Sequence, residues 1–284
     1  MSSGVVTPIL LFLAAIAVRI LSWHSVFQRD GVYFNGNDAY YHARRIRYSI
    51  DHFPDVLDFD PLINFPAGAQ PIWPPTFDWL IAAVLRLLPG IDQADQLEAV
   101  AVWIPPLIGA GTVLVVYWIA LRFFSRPVGV VAAGSMAILP AHSFYSRLGA
   151  LDHHFLVAGI VAVMLMLAMV LFRDQCTQKR IGLSIGLGLS IAAVVLVWPG
   201  SLLHVGVLQI AMVVRLLTAA DAESAKLWAL RFSIVHGVAC LGVYPMSAGK
   251  EWALWGTLSP VVLSDFQPLY FFSAAVCFGI PGLM

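Results

Sequence analysis

Acidic and histidine side chains occur in three short polar stretches of a chain that is otherwise mostly apolar. The stretches are residues 36–45 (GNDAYYHARR), 146–154 (SRLGALDHH) and 263–268 (LSDFQP). Carboxylates and imidazoles serve as metal ligands and as acid–base or hydrogen-bonding groups toward polar substrates. These stretches are therefore the places where the sequence predicts chemistry.

The middle stretch has the most specific composition. Asp152 and His154 lie two residues apart in an irregular segment, so both side chains can turn toward one point. A carboxylate with an imidazole suits Mn²⁺ or Mg²⁺ better than a structural zinc, which takes four ligands, usually nitrogen or sulfur. Two ligands leave most coordination positions open, so further ligands must come from elsewhere in the fold. Arg147 is a candidate partner for a phosphate oxygen, although an arginine that snorkels to the membrane interface has the same sequence context.

The first and third stretches each admit a simpler interpretation when taken alone. Asn37 or Asp38 is placed to cap a helix that lies on the bilayer, with its arginines facing lipid phosphates. Asp265 is placed in what resembles an ordinary loop followed by a helix start. Ionisable groups at a membrane boundary are costly unless they are used. Three acid-bearing loops on one face therefore favour a shared site.

Membrane spans are the elements that must position these loops. The chain is 60% hydrophobic and 11% charged, which is too little charge to surround a soluble core. Its formal net charge of +0 provides no basic face for nucleic acid. The stretch 77–89 is too short to span and is predicted to form an interfacial or partly buried helix. Eight segments approach the length of a span, at residues 5–23, 97–121, 127–145, 154–173, 181–198, 201–217, 229–246 and 269–284.

Basic residues in the short loops predict the orientation of the spans. With the N-terminus inside, the short outer loops hold Arg147 and Lys250 and little else that is basic. Such a bias marks the cytoplasmic side and places all three polar stretches on the outer face. Residues 24–96 then form a long first external loop, which this rule governs poorly. The cytoplasmic loops would carry Arg122, Arg126, Arg173, Lys179, Arg180, Arg215, Lys226 and Arg231.

In this order, the three stretches resemble the catalytic subunit of oligosaccharyltransferase. GNDAYYHARR is similar to the acidic motif of the family's first external loop, and SRLGALDHH to its second acidic motif, in the variant with paired histidines found in archaeal and some bacterial members. LSDFQP is similar to the motif of the fifth external loop. The resemblance implies an all-α membrane protein, a multi-span bundle of the polyprenyl-phosphate-dependent glycosyltransferase type, with residues 1–284 forming its transmembrane catalytic region.

Site residues follow from the resemblance position by position. It implies that Asp38, Asp152 and His154 bind a divalent metal, Mn²⁺ or Mg²⁺, and that Asp38, Asp152 and Asp265 are catalytic. Asp38 and Asp265 would engage the amide of an acceptor asparagine. Arg147 would lie near a lipid-linked donor. Gln267 belongs to the third motif and is assigned to substrate binding on the same basis.

The resemblance also implies the reaction and its surroundings. A glycan would pass from a polyprenyl (di)phosphate to an asparagine of an acceptor polypeptide, on the external face of the cell membrane. Two features depart from the family pattern: the third motif has aspartate where glutamate is usual, and the family's C-terminal globular domain is absent from this sequence. We therefore expect a fragment, a split gene or a degenerate copy, completed by a separate C-terminal domain.

Three alternatives remain open from the sequence. Another membrane glycosyltransferase that uses polyprenyl-phosphate sugars would also place an acid in its first outer loop. A transporter would place its charges within the spans, whereas here they cluster at loops. An inactive fragment or assembly partner is the third.

Overall fold

The computed structural model describes residues 3–88, 94–173 and 181–283. Within these ranges the chain is mostly helical, and its strands are one two-residue hairpin, β1 (Phe27–Gln28) with β2 (Gly31–Val32). The predicted all-α class is therefore confirmed. The chain divides into two compact units, one of Met1–Pro71 with Pro75–Ala162 and one of Ile72–Pro74 with Val163–Met284. The helices are α1 (Ser3–Arg19), α2 (Trp23–Val26), α3 (Asn37–Asp51), α4 (Pro75–Arg86), α5 (Ala94–Ala101), α6 (Ile104–Phe123), α7 (Arg126–Ile138), α8 (Pro140–Tyr145), α9 (His154–Arg173), α10 (Ile181–Val197), a 3-10 turn (Pro199–Ser201), α11 (Leu202–Leu217), α12 (Ala222–Ser247) and α13 (Phe266–Leu283).

Small residues let three helices of the first unit pack closely. Helices α1, α6 and α7 share a buried cluster in which alanines from all three surround Tyr117 and Val113. Gly129 of α7 lies against Tyr117, where an added Cβ would approach the ring to 3.3 Å. Close approach of backbones is the usual basis of helix association in membranes, where apolar burial alone gives little drive.

Helices α3 and α4 pack together within residues 24–96, the loop that the sequence predicts to be external. Helix α3 buries one face, which carries residues spaced three and four apart, and this face includes the polar side chains of His42 and Arg45. Helix α4 buries Phe77 and Asp78 from its first turn. The helix predicted at 77–89 is present as Pro75–Arg86, and its only acidic residue, Asp78, is buried against His42 and Arg45.

Prolines divide two of the predicted spans. The segment 127–145 is not one helix, because α7 ends at Ile138 and a separate helix begins at Pro140. Proline disfavours the helical conformation of the residue before it, and Leu139 is extended with ψ 118°. In the segment 97–121, Pro105 and Pro106 lie in the first turn of α6, where they start the helix.

The helices match the eight predicted segments in position but only partly in length. Among the described residues, four segments are long and apolar enough to cross a membrane: Gln96–Phe123, His154–Arg173, Pro199–Leu217 and Ala222–Ser247. Four shorter apolar helices overlap the remaining predicted segments, at Gly4–Arg19, Arg126–Ile138, Ile181–Val197 and Phe266–Ile280. Leu203 and Leu241 are 73% and 75% exposed on such helices, a surface that suits lipid rather than water.

Helices α10, α12 and α13 form the centre of the second unit. An added Cβ at Gly188 would lie 2.5 Å from the Val235 carbonyl oxygen, so glycine permits the close contact of α10 with α12. A polar network joins α11, α12 and α13: Gln209 Nε2 lies 2.9 Å from His236 Nε2, and the Tyr270 hydroxyl donates to Gln209 Oε1. His236 Nδ1 lies 2.7 Å from its own helix's Phe232 carbonyl oxygen.

Candidate functional site

Asp38 lies exposed in the first turn of α3. The residue that precedes the helix is Gly36, with φ 105°, a conformation that glycine adopts without strain. No side chain caps this helix end, so the prediction that Asn37 or Asp38 caps it is wrong. The Asp38 carboxylate instead remains available at a helix N-terminus, where the helix dipole favours negative charge.

One turn after Asp38, the side chain of His42 is buried among charged groups. Its Nδ1 lies 2.7 Å from Oδ1 of Asp78, and Arg45 Nη1 lies 2.7 Å from the other oxygen of the same carboxylate. Asp78 is 0% exposed, and both of its partners are nearly as buried. A buried carboxylate shared by two cationic side chains fixes the orientation of the imidazole.

Three histidines surround Asp152. Oδ1 of Asp152 lies 2.6 Å from His153 Nδ1 and 3.5 Å from His42 Nε2, and Oδ2 lies 3.5 Å from His154 Nε2. Burial would raise the pKa of the Asp152 carboxyl, but the neighbouring imidazoles outweigh burial and lower it well below its usual range. Burial likewise lowers the pKa of His42, but Asp78 and Asp152 reverse the effect and raise it to about 9.

These side chains form a group that can hold a metal ion. One ligand atom each from His42, Asp152 and His153 lie within 4.8 Å of one another. The chemistry of the set fits a divalent cation, since it combines carboxylate oxygen with imidazole nitrogen. Asp152 Oδ1 is also buried and has no well-directed hydrogen bond, although two imidazole nitrogens lie beside it. Such an atom is suited to a cation.

The group overlaps the predicted ligand set at Asp152 and differs from it at the other positions. His154, a predicted ligand, is next to Asp152 and is more exposed, at 35% of its side chain. Asp38, the third predicted ligand, is close enough to His154 for the two to interact electrostatically. The first unit therefore brings Asp38, Asp152 and His154 into one neighbourhood, and it adds His42 and His153 to them.

Arg147 precedes Asp152 in the same loop and has unused hydrogen-bonding capacity. Its guanidinium carbon lies 4.0 Å from the centre of the Phe144 ring, a cation–π contact. Its Nε is buried without a hydrogen-bond partner. A guanidinium has five N–H donors, so an arginine in this state can receive an anionic group.

The third predicted stretch belongs to the second unit. Asp265 is partly exposed, and its Oδ1 accepts a hydrogen bond from the Gly249 N–H at 2.9 Å. Gln267 is fully buried, and its Nε2 donates to the carbonyl oxygens of Ser259 and Val262 at 3.2 and 2.8 Å. Both N–H groups of this amide thus donate within the loop, so in this conformation they are not available to a substrate.

Sequence reasoning missed three residues of the first unit's site: His42, His153 and Asp78. His153 was noted only as one of the paired histidines of the second motif. His42 was treated only as part of the first motif, although it follows Asp38 by four positions and so lies one helical turn further on. Asp78 was assigned to an interfacial helix. The signal that could have found it is a carboxylate in the first turn of an otherwise apolar helix, since such a group needs a buried partner.

A family model described as "Oligosaccharyl transferase STT3, N-terminal" matches residues 8–274. The chain belongs to this family. Two curated archaeal relatives are similar to it: the dolichyl-monophosphooligosaccharide–protein glycotransferase AglB of Haloferax volcanii, 27% identical over 226 residues, and dolichyl-phosphooligosaccharide-protein glycotransferase 1 of Archaeoglobus fulgidus, 29% identical over 208 residues. Each alignment covers 72% of this chain, but only 21% of the first relative and 32% of the second.

Solved structures of the family agree with the fold. The crystal structure of an A. fulgidus oligosaccharyltransferase in complex with Zn and sulfate has a TM-score of 0.85 and 25% identity, and the match covers 98% of this chain and 35% of that one. A structure of A. fulgidus AglB with an inhibitory peptide and a dolichol-phosphate has a TM-score of 0.82. The STT3 chain is therefore a membrane protein that spans about a third of the structures it resembles.

Proposed function

We propose that this STT3 chain forms the transmembrane catalytic region of an oligosaccharyltransferase. It would move a glycan from a polyprenyl (di)phosphate carrier to an asparagine of an acceptor polypeptide, in concert with a separate C-terminal globular domain. The archaeal relatives are named for such a transfer. A structure of A. fulgidus AglB contains an inhibitory peptide and a dolichol-phosphate, and a structure of an A. fulgidus oligosaccharyltransferase contains a tethered acceptor peptide with the NVT sequon.

The observation that carries the proposal is the grouping of carboxylates and imidazoles around Asp152 in the first unit. Asp38, Asp152 and His154 would hold Mn²⁺ or Mg²⁺. His42 and His153 would then orient Asp152 from behind, as hydrogen-bonded neighbours of metal ligands commonly do. When bound, the divalent ion would neutralise charge that develops on the leaving phosphate.

Asp38 and Asp265 would act on the acceptor amide. An amide nitrogen is a poor nucleophile because its lone pair is delocalised into the carbonyl group. Carboxylates that accept hydrogen bonds from the NH₂ group can twist or polarise the amide, at a cost in the ground state that other binding contacts offset. The exposure of Asp38 and the partial exposure of Asp265 leave both carboxylates accessible to such a group.

The remaining predicted residues would serve binding and loop shape. Arg147 would bind a phosphate oxygen of the donor, which suits its buried and unpartnered Nε. Gln267 would act on the substrate only through the loop that its amide holds together. The basic residues of the short loops favour a site on the external face of the cell membrane.

Glycosylation of a peptide with the sequence Asn-X-Ser/Thr tests the proposal. The purified chain is supplied with dolichyl-phosphate-linked glycan and Mn²⁺, with and without a C-terminal domain from an archaeal relative. Asp38→Asn and Asp152→Asn are expected to abolish transfer, and Asp51→Asn, at the exposed far end of α3, is the matched control. Full activity of either site variant with manganese present would refute the assigned roles. Sugar transfer to a lipid or sugar acceptor without peptide glycosylation would assign the chain to the wider polyprenyl-phosphate-dependent class.

A further inference from the structure

A fully buried arginine ends the first helix. Arg19 is 0% exposed, and its guanidinium makes four hydrogen bonds, all to neutral groups. Within the described residues no carboxylate forms an ion pair with it. A buried cation without an anion is costly near a membrane, so the bonds that hold Arg19 must repay its desolvation. Its partners are Ala15 O at 2.9 Å, Ala137 O at 3.2 Å, Ser146 Oγ at 2.8 Å and His142 Nδ1 at 2.5 Å.

The space around this guanidinium is closely fitted. A Cβ added to Gly109 of α6 would lie 2.5 Å from Ser146 Oγ and 2.7 Å from Arg19 Nε. Any larger residue at position 109 would therefore displace both groups. Because a guanidinium only donates hydrogen bonds, His142 must accept through Nδ1 and carry its proton on Nε2. Contacts from α6, α7, α8 and the loop after α8 thus hold the Arg19 guanidinium in one position.

The backbone around Arg19 fixes the loop that leads to Asp152. The Leu148 N–H donates to the Arg19 carbonyl oxygen at 2.9 Å, and the Leu148 carbonyl oxygen accepts from Asn35 Nδ2 at 2.6 Å. The Gly149 N–H donates to the Val102 carbonyl oxygen at 3.2 Å. The loop is therefore tied down immediately after Arg147.

Arg19 ties the loop on the other side of Arg147 as well. Its Nε holds the hydroxyl of Ser146, the residue just before Arg147. Both neighbours of Arg147 are thus held, Ser146 through its hydroxyl and Leu148 through its backbone, whereas the Nε of Arg147 has no partner. We infer that Arg19 is a positioning residue, which holds the 146–149 backbone so that the Arg147 guanidinium is presented to the phosphate of the lipid-linked donor. This inference rests on the proposed function of Arg147.

Lysine cannot replace arginine in this role. The four acceptors lie on α1, α7, α8 and the following loop, and a planar fork of five donors reaches them together. A lysine ammonium is a compact point charge on a flexible stem, with three donors at one atom. A variant with lysine at position 19 keeps the charge and loses the arrangement, so it separates the two effects.

Binding of dolichyl phosphate to the purified protein in lipid nanodiscs tests the inference. Dolichol, which lacks the phosphate, is the second ligand, and amide exchange of Leu148 and Gly149 is the second readout. Arg147→Ala is expected to raise the Kd for dolichyl phosphate about tenfold or more, the loss of a hydrogen bond to a charged group. Arg19→Gln and Arg19→Lys should each raise it about three- to tenfold and accelerate exchange at both amides, since the loop loses the guanidinium's hydrogen bond to Ser146.

Two further variants keep the result decisive. Ser146→Ala leaves Arg19 in place and removes the acceptor of its Nε, together with the hydroxyl's own hydrogen bond to the His142 carbonyl oxygen. It is expected to shift both readouts in the same direction, even if an Arg19 variant fails to fold. Arg86→Gln, which removes an exposed guanidinium bonded to the Ile50 carbonyl oxygen in the same unit, should change neither. Wild-type affinity and exchange in Ser146→Ala and Arg19→Lys would overturn the inference. Equal binding of dolichol and dolichyl phosphate by the wild-type protein would instead overturn the donor role of Arg147, while the exchange data would still decide the anchor.

Discussion

Nδ1 of His42 lies 2.7 Å from Oδ1 of Asp78, where both side chains are almost completely buried. Arg45 shares the same carboxylate, and the opposite nitrogen of His42 faces Asp152 at 3.5 Å. A charged core therefore lies directly behind the candidate metal ligand. When His42 is protonated, the positive charges of His42 and Arg45 balance the negative charges of Asp78 and Asp152. This balance explains how so many charges can be buried together.

Asp78→Asn should strongly destabilise the first unit. The change removes the negative charge that compensates Arg45, and a buried pair broken on one side costs about 3–5 kcal/mol in the free energy of unfolding. Denaturant unfolding in detergent, followed by tryptophan fluorescence, measures it. Glu98→Gln is the matched control, because its pair with the half-exposed Arg47 is expected to contribute less than about 1 kcal/mol. Equal losses in the two variants would show that Asp78 does not neutralise a buried charge.

His42→Gln should weaken metal binding without removing a proposed ligand. Its imidazole lies between Asp78 and Asp152, so its loss frees the Asp152 carboxylate to rotate, and changes behind a ligand commonly lower metal affinity about 10- to 100-fold. Titration of Mn²⁺ followed by electron paramagnetic resonance measures the affinity. His52→Gln, at the exposed end of the same helix, should bind as the wild type does. An unchanged affinity in the His42 variant would separate this histidine from the site.

Gly109→Ala should disturb the Arg19 anchor through volume alone. The new methyl group would lie 2.5 Å from Ser146 Oγ, and such overpacking costs about 1–3 kcal/mol in the free energy of unfolding. Gly111→Ala on the same helix meets nothing within 4 Å and should be neutral or stabilising by up to about 1 kcal/mol. Thermal unfolding of the two variants, measured side by side, compares their stabilities. A neutral Gly109→Ala would mean that α6 can move away from the anchor.

Tyr270→Phe should loosen the second unit slightly. It removes the hydroxyl that donates to Gln209 and leaves the His236 contact in place. Hydrogen bonds between membrane helices contribute about 0.6 kcal/mol on average, and at most about 1.7 kcal/mol. Steric-trap or denaturant unfolding in lipid can resolve such a difference. Tyr244→Phe, on the exposed surface of α12, is expected to have no effect, and a similar loss in both would contradict the role of the network.

Hydropathy predicted the fold well because lipid imposes a simple rule. Every backbone polar group must be satisfied within its own segment, so apolar runs of sufficient length become helices. The errors occur where proline acts: the break before Pro140 and the start of α6 at Ile104, just before Pro105, were both merged into longer spans. At these two points the backbone restriction imposed by proline outweighed the apolar composition that predicts one continuous helix. The orientation rule could be followed only in part, since Lys179 and Arg180 lie outside the described residues.

The candidate site was predicted from motifs more fully than from contacts. Asp38, Asp152 and Arg147 stand in recognisable stretches, so their involvement could be proposed without coordinates. The partnership of His42 with Asp78 could not, because the two lie 36 positions apart on separate helices and no period in the sequence links those helices. The buried position of Arg19 could not be predicted from the sequence either. An arginine at the end of an apolar segment resembles an interfacial anchor, and only tertiary packing shows that it turns inward.

The position of Arg19 makes the first helix part of the packing around the candidate site rather than only a membrane anchor. A foreign leader of equal length and hydropathy would restore membrane insertion and topology. It would not restore the guanidinium to which the Ser146 hydroxyl is hydrogen-bonded. Chimeras that exchange this helix between relatives should therefore tolerate any lipid-facing sequence, provided that the arginine and the glycine opposite it are transplanted together.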